Sequence, residues 1–520
     1  MSKYIMAIDG GTGSVRAVIF DDSGNQIASH QEEWHHLEEL NYPGSMNFDY
    51  NKNWNLIKKC IKSALIKSKL DNNQIEAIST TSMREGIVLY DKNNNEIWAC
   101  ANVDSRSDKE VQDLKKLYPG LESEIYSISG ETFALSDISR LLWVKNNLPD
   151  IYKKIDKLTM INDWISFKLT GHISVEPTNA STSGLLNLSR RDWDIDILKN
   201  CGIKNNILPK VIENGQIISN ISTQAAYETG LSENTIVVMG GGDCQLASIG
   251  VGSIHDNDSA LFGGSFWQYE YNTSKLEFDE KARIRINCHA LSDLWQYEAL
   301  AFNPGLVLRW FRDAFCQEEI LKSKETGVDP YELLNNKAKD VPAGSYGIIS
   351  CFSDIMNFMN WRHASPTFTN FNINPVLYNK YSFYRSLLEN AAYLVRGHID
   401  LVKEFTHKEP DVIIFAGGAS KSSLWCQIVA DVTKKPVKVP VVKEATALGA
   451  AILAGCGVGI FEDLYDGVDR CVNFEKTYYP NENNFKSYDI MYKKWKVIYK
   501  EQLKLSDQAI TQYMWKAPGL

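Results

Sequence analysis

The sequence predicts an α/β protein of two domains, and three observations carry that prediction. The chain has 520 residues, too long for a single hydrophobic core. β-branched runs that end in glycines alternate with stretches whose apolar residues recur at helical spacing. A strand–Gly–Gly–Ser/Thr layout near the N-terminus, Asp9-Gly10-Gly11-Thr12, returns far downstream as Phe262-Gly263-Gly264-Ser265, which reads as an internal duplication. The expected division is 1–247 and 248–520.

Bulk composition narrows the function. Apolar residues make up 44% and charged residues 23%, an ordinary globular balance. The formal net charge is −9 and no basic tract occurs, so nucleic acid and anionic membrane surfaces are not expected partners. Ten cysteines show no C-x-x-C pair and no His cluster; they read as reduced thiols of a cytoplasmic protein, not as a zinc site. No secretory h-region and no apolar run near 18 residues is visible, so neither export nor a membrane span is expected.

Taken in order, Tyr4–Asp9 and Val15–Phe20 read as strands joined by the Gly10–Ser14 turn. This is not a P-loop, which leads into a helix and carries Lys-Ser/Thr. Successive N–H groups in a glycine turn can still cradle phosphate. Asp9 would face a nucleotide's Mg²⁺, and Thr12 and Arg16 could reach the phosphates; an ordinary hairpin is the alternative. Gln26–His30 reads as a third strand, and Trp54, Ile57, Ile61 and Leu65 as the core stripe of a helix. The strand Ile75–Thr80 ends in Ser82-Met83-Arg84-Glu85-Gly86. Arg84 and Glu85 suit a polyhydroxylated ligand, one donating and one accepting, or else form a surface ion pair. Asp104 and Arg106 repeat the theme. Leu114–Gly171 reads as mostly helical, Asn179–Gly184 as a polar turn.

The most informative stretch is Val237–Ile249, VVMGGGDCQLASI. A buried strand runs through three glycines to Asp243. The glycines are read as supplying φ > 0 and close backbone approach to a ligand rather than packing. Asp243 is read as a general base for a substrate hydroxyl attacking the γ-phosphate of ATP; the alternative is a helix cap. Downstream, Gly264 and Ser265 would face the outer phosphates. Gly417, Gly418 and Lys421 follow another buried strand and precede a helix, a device that places a nucleotide at a helix N-terminus. Glu444–Ala451 starts a small-residue helix suited to packing on a strand or a base, and Tyr488–Leu505 is a packed terminal helix.

Seven segments, in order, resemble the FGGY carbohydrate kinase family: IDGGTGSVR, SMREG, VDSR, GGGDCQ, LFGGSFW, FAGGASKSSLWCQIVAD and EATALGAAI, spanning residues 4 to about 455. The resemblance implies a duplicated actin/hexokinase-like ATPase fold, two ribonuclease H-like domains around a central cleft. ATP would be held mainly by the second and the sugar-like substrate mainly by the first. It implies Asp243 as catalytic residue and, with Asp9, as Mg²⁺ ligand. Asp9, Thr12, Arg16, Gly264, Ser265, Gly417, Gly418 and Lys421 would bind the nucleotide; Arg84, Glu85, Asp104 and Gln245 would bind the acceptor. Cys244 stands where the glycerol kinase branch has Gln, and Asn47 where Glu is frequent. These departures fit an acceptor with fewer hydroxyls, such as 4,5-dihydroxy-2,3-pentanedione phosphorylated at its primary C5 hydroxyl, with a xylulose-, gluconate- or erythritol-type acceptor as the alternative. A regulatory phosphocarrier protein and a homodimer are partners the sequence leaves open.

Overall fold

The computed structural model describes residues 3–520; the first two residues of the expected 1–247 domain lie outside the described residues. Two large sheets organise the chain. The first contains β1 (Tyr4–Gly10), β2 (Ser14–Asp21), β3 (Gln26–Glu33), β4 (Ile75–Ser82), β5 (Ile217–Asn220) and β6 (Ile236–Gly242) in the order β5-β6-β4-β1-β2-β3. The second contains β7 (Ser259–Gly263), β8 (Trp267–Thr273), β9 (Arg285–Cys288), β10 (Trp295–Ala301), β11 (Ile413–Ala416), β12 (Val437–Pro440) and β13 (Phe474–Tyr478), ordered β9-β10-β8-β7-β11-β12-β13.

The pairing senses repeat. β1 pairs antiparallel with β2, which pairs antiparallel with β3; β1, β4 and β6 run parallel, and β5 closes the edge antiparallel. β7, β8 and β10 repeat the antiparallel half, β7, β11 and β12 the parallel half, and β13 the edge. The expected duplication is thus present in topology, with β9 added outside β10.

Both faces of the first sheet are covered, which is why β1 is apolar throughout. Met6 and Ile8 pack with Trp54, Ile57 and Ile61 of α1 (Tyr50–Ser68). Ile5 and Ala7, on the opposite face, pack with Leu246 and Ile249 of α2 (Asp243–Gly250) and with Ala447, Leu448 and Ala451, far along the chain. The second sheet is covered by α3 (Lys380–Thr406) and α4 (Ser423–Thr433). Ala447, Leu448 and Ala451 belong to α5 (Ala445–Gly457), so a helix of the second half completes the core of the first. α5 packs on α2 and on strands β1, β4 and β6, which bears out the strand-packing alternative, and glycines set its spacing from α2. A Cβ on Gly449 would collide with the Leu246 carbonyl, and one on Gly250 with that of Ala445. The terminal helix α6 (Phe485–Asp507) buries Tyr488, Trp495 and Tyr499 in the second core, as expected.

The Leu114–Gly171 region is mostly helical, as expected, with one short strand, Lys157–Met160, paired with Ile87–Tyr90. Two expectations are corrected. The polar stretch Asn179–Gly184 is not a simple turn: Pro177–Ala180 and Ser181–Ser183 are short helices and wholly buried. None of Gly240, Gly241 and Gly242 has φ > 0. The run continues β6, and close packing requires it: a Cβ on Gly240 would strike the Thr80 carbonyl, and on Gly241 it would lie 2.8 Å from Thr178 Oγ1. No helix of the described residues is long and apolar enough to cross a membrane, and all ten cysteines are free.

Candidate active site

The parallel strands bring the predicted acids to one end of the first sheet. Asp9 of β1 is in register with Thr81 of β4, and Thr81 with Gly241 of β6. Asp243 follows β6 directly, as the first residue of α2. In open α/β sheets, ligands gather beyond the carboxyl ends of parallel strands. Asp243 is 35% exposed, and its Oδ1 accepts from Cys244 N at 2.8 Å. Burial raises its pKa above the ordinary Asp value, Arg84 opposes the shift, and the charge of Glu85 adds to it. Asp9 is pushed up to about 6 by burial, against the pull of Arg16 and with the added repulsion of Asp243 and Glu444.

Opposite stand the glycine turns of the second sheet. A cavity of 170 Å³ is lined by Asp243 and Cys244 together with Gln268, Ala416, Gly417 and Thr446. A larger cleft of 1010 Å³ adjoins it at Gly418 and is lined by Gly264, Ser265, Lys421, Tyr331 and Asn335. Gly417 takes φ 94°, and a Cβ there would lie 2.8 Å from the Gly263 carbonyl. Only glycine therefore lets the β7 and β11 turns meet. The Ser422 side chain caps α4 by accepting from Trp425 N.

Arg84 and Glu85 are buried and do not pair with each other. The Arg84 guanidinium grips both carboxylate oxygens of Glu298 on β10, and its Nε lies 3.4 Å from Asp243 Oδ1. Glu85 holds Arg285 of β9, which also engages Glu131 and lies 3.6 Å from Glu298. Glu270 of β8 is buried among these groups. Burial and the neighbouring Glu298 charge push its carboxyl well above the usual range, while the two arginines hold Glu298 below it.

The remaining predicted residues are dispersed. Asp104 is 2% exposed; its carboxylate accepts from Arg106 and from Met46 N at 2.6 Å, and the Arg106 guanidinium lies over the Trp98 and Trp143 rings. Gln245 is fully buried behind Gly242. Thr12 is exposed at the hairpin tip, its Oγ1 accepting from Asn102 at 3.0 Å. Arg16 ties Asp9, at 3.5 Å, to Glu444 at the start of α5. Sequence reasoning missed Glu298, Arg285, Glu270 and Glu444. Their partners lie far along the chain, and no local pattern marks them.

Residues 4–250 match the N-terminal domain of the FGGY family of carbohydrate kinases, and residues 280–458 match its C-terminal domain. The chain belongs to that family. Its relatives include the Autoinducer-2 kinase of Yersinia pseudotuberculosis serotype O:3 (strain YPIII), 47% identical over 518 residues, covering 99% of this chain and 98% of the relative. The Autoinducer-2 kinase of Yersinia pestis bv. Antiqua (strain Angola) is 48% identical with the same coverage. Among solved structures, a ligand-bound xylulose kinase from Lactobacillus acidophilus superposes with a TM-score of 0.85 at 23% identity, over 97% of this chain and 98% of that one. Plasmodium falciparum glycerol kinase with ADP gives 0.83 at 20%, over 96% and 98%. These FGGY structures confirm the two-domain fold. The enzyme is an ATP-dependent kinase of the FGGY family.

Proposed function

We propose that this kinase transfers the γ-phosphoryl group of ATP to the primary C5 hydroxyl of autoinducer-2, 4,5-dihydroxy-2,3-pentanedione, in the cytoplasm. The acceptor follows from the full-length relatives named for that activity. The reaction rests on one geometric observation: Asp243 and Gly417, from opposite halves of the chain, wall the same small cavity.

In this reading the second half, from residue 248, holds ATP and the first half, 1–247, presents the acceptor. Gly264, Ser265 and Lys421 bound the larger cleft, where nucleotide phosphates and adenosine fit. Asp243 orients the acceptor hydroxyl and takes its proton as the oxygen attacks phosphorus. Its raised pKa suits that task, because a more basic carboxylate accepts a proton more readily. Arg84 holds Asp243 through its Nε, and Arg84 and Glu85 are the proposed acceptor-binding pair beside the base. Thr12 and backbone N–H groups of the first hairpin face the charge growing on the phosphoryl oxygens.

The donor set fits Mg²⁺. Asp9 and Asp243 are hard carboxylates; the charges of Asp243 and Glu444 both act against that of Asp9, Arg16 offsets part of this, and a divalent cation would relieve the rest. Bound there, Mg²⁺ would neutralise phosphate charge.

Asp243→Asn is the decisive variant. Turnover should vanish, measured as ADP release, while a non-hydrolysable ATP analogue still binds. More than about a tenth of wild-type kcat would contradict the base assignment. A panel comparing the pentanedione with xylulose, gluconate and erythritol tests the acceptor; preference for one of the others would overturn it.

A further inference from the structure

The three glycines before Asp243 leave room for something. Two polar arms occupy that room. Thr178, in the buried Pro177–Ala180 turn, presents its Oγ1 as acceptor to Gly242 N at 2.9 Å. Asn214, in the loop before β5, donates from Nδ2 to the Gly240 carbonyl at 2.5 Å. A Cβ on Gly241 would lie 2.8 Å from Thr178 Oγ1 and 3.0 Å from Asn214 Nδ2, so only glycine admits both arms.

Both arms are anchored on one acid. Glu176 is fully buried. Its Oε2 accepts from Thr178 Oγ1 at 2.5 Å, from Thr178 N at 2.6 Å and from Asn214 Nδ2 at 2.8 Å; its Oε1 accepts from Asn179 N at 2.9 Å. Because the Thr178 hydroxyl proton goes to Glu176, its oxygen is free to accept from Gly242. β6 is irregular here: its pairing with β4 shifts between Val238 and Gly241. The pairing resumes at Gly241 and Gly242, so Gly240 lies in the break, and the two arms add to the ladder where the strand bends toward Asp243.

We propose that Glu176, Thr178 and Asn214 are positioning residues: a buried clamp that holds the Gly240–Gly242 backbone and so aims the Asp243 carboxylate at the acceptor hydroxyl. They touch neither substrate. The inference rests on Asp243 being the base. Misplacing such a group by about 1 Å costs on the order of a hundredfold in rate, whereas nucleotide affinity, set at the Gly417–Lys421 turn, should not respond.

The test uses the full-length enzyme with ATP, Mg²⁺ and the pentanedione. Thr178→Val keeps shape and removes the acceptor; kcat should fall about tenfold or more, with both KM values within about threefold and unchanged affinity for a non-hydrolysable ATP analogue. Thr178→Ser, which restores the hydroxyl, should recover most of the loss. Asn214→Ala, at a partly exposed site, should lower kcat likewise, and the double variant should lose less than the product of the two; it also carries the test if Thr178→Val does not fold. A Thr178→Val enzyme within twofold of wild type, a serine variant as impaired as the valine one, or losses that multiply would overturn the clamp. Asp243→Asn in parallel separates the two readings. If it turns over, the base assignment fails; if it is dead while Thr178→Val is normal, only the clamp fails.

Discussion

Arg84 stands between two carboxylates from different halves of the chain, Asp243 and Glu298. Its planar fork matches Glu298 bidentately while the remaining edge faces the base. Removing it leaves Glu298 buried without its main partner, a change worth about 3–5 kcal/mol, and frees Asp243 to move. Arg84→Ala is therefore expected to raise KM for the acceptor about tenfold or more and to lower thermal stability, with KM for ATP moved far less. Steady-state kinetics on both substrates and a melting curve check this; equal effects on the two KM values would count against it. Arg84 itself was legible in the sequence because a charged pair beside a glycine at a strand end is unusual. Its partner was not: Arg84 and Glu298 are 214 positions apart, and the folded register of β10 alone brings them together. The same holds for Arg285 with Glu85 and for Arg16 with Glu444.

At the scale of elements, the α2–α5 contact governs the site. Asp243 opens α2, and Gly250 and Gly449 allow the two helices to touch backbone to backbone. A methyl group at Gly449 must push the helices apart, since the obstructing atom is a carbonyl oxygen and not a flexible side chain. Gly449→Ala should destabilise the enzyme by about 1–3 kcal/mol and lower kcat, whereas the ordinary helix propensities alone would favour alanine. Chemical denaturation checks the first and ADP release the second. The strands and long helices were readable from period-2 and period-3.6 patterns, and the small-residue character of α5 predicted close packing. That α5 packs on a strand was one of the two readings; that the strands are those of the first half, with α2 beside them, was not readable, because composition gives the distance of approach and not the partner. The Gly240–Gly242 run illustrates the same limit. Three glycines announce that something comes near, and the neighbours proved to be Thr80, Thr178 and Asn214 rather than a ligand alone.

For the molecule as a whole, three buried histidines make folding sensitive to acid. His289, His363 and His398 are wholly enclosed, and burial first of all lowers each to about 3. A lowered histidine pKa means that the unfolded chain binds the proton more readily. The stabilising contribution is complete above the unfolded value near 6.5 and is lost as pH falls toward 3. At pH 5.5 each of the three costs about 1.4 kcal/mol. Buried acids held above their ordinary values, Glu131 and Asp354 among them, act in the opposite sense, so the histidine contribution is read by difference: between pH 7 and 5 the Tm of His398→Gln should fall less, or rise more, than that of the wild type, and parallel profiles would refute it. The two-domain architecture was legible from length and from the repeated glycine turns. The ordering of strands and the deep Arg–Glu network between the sheets were not, since both depend on pairings between distant segments, from 71 positions apart for Tyr4 with Ile75 to 214 for Arg84 with Glu298.

The placement of α5 on the first sheet has a consequence for synthesis. One apolar face of β1, β4 and β6 is only partly covered, by α2, until Ala445–Gly457 has left the ribosome, long after those strands have emerged. The N-terminal half should therefore wait, partly assembled and prone to chaperone capture, and a truncated chain ending at residue 247 should precipitate when expressed alone. Adding a separately made C-terminal segment that carries α5 should restore its solubility.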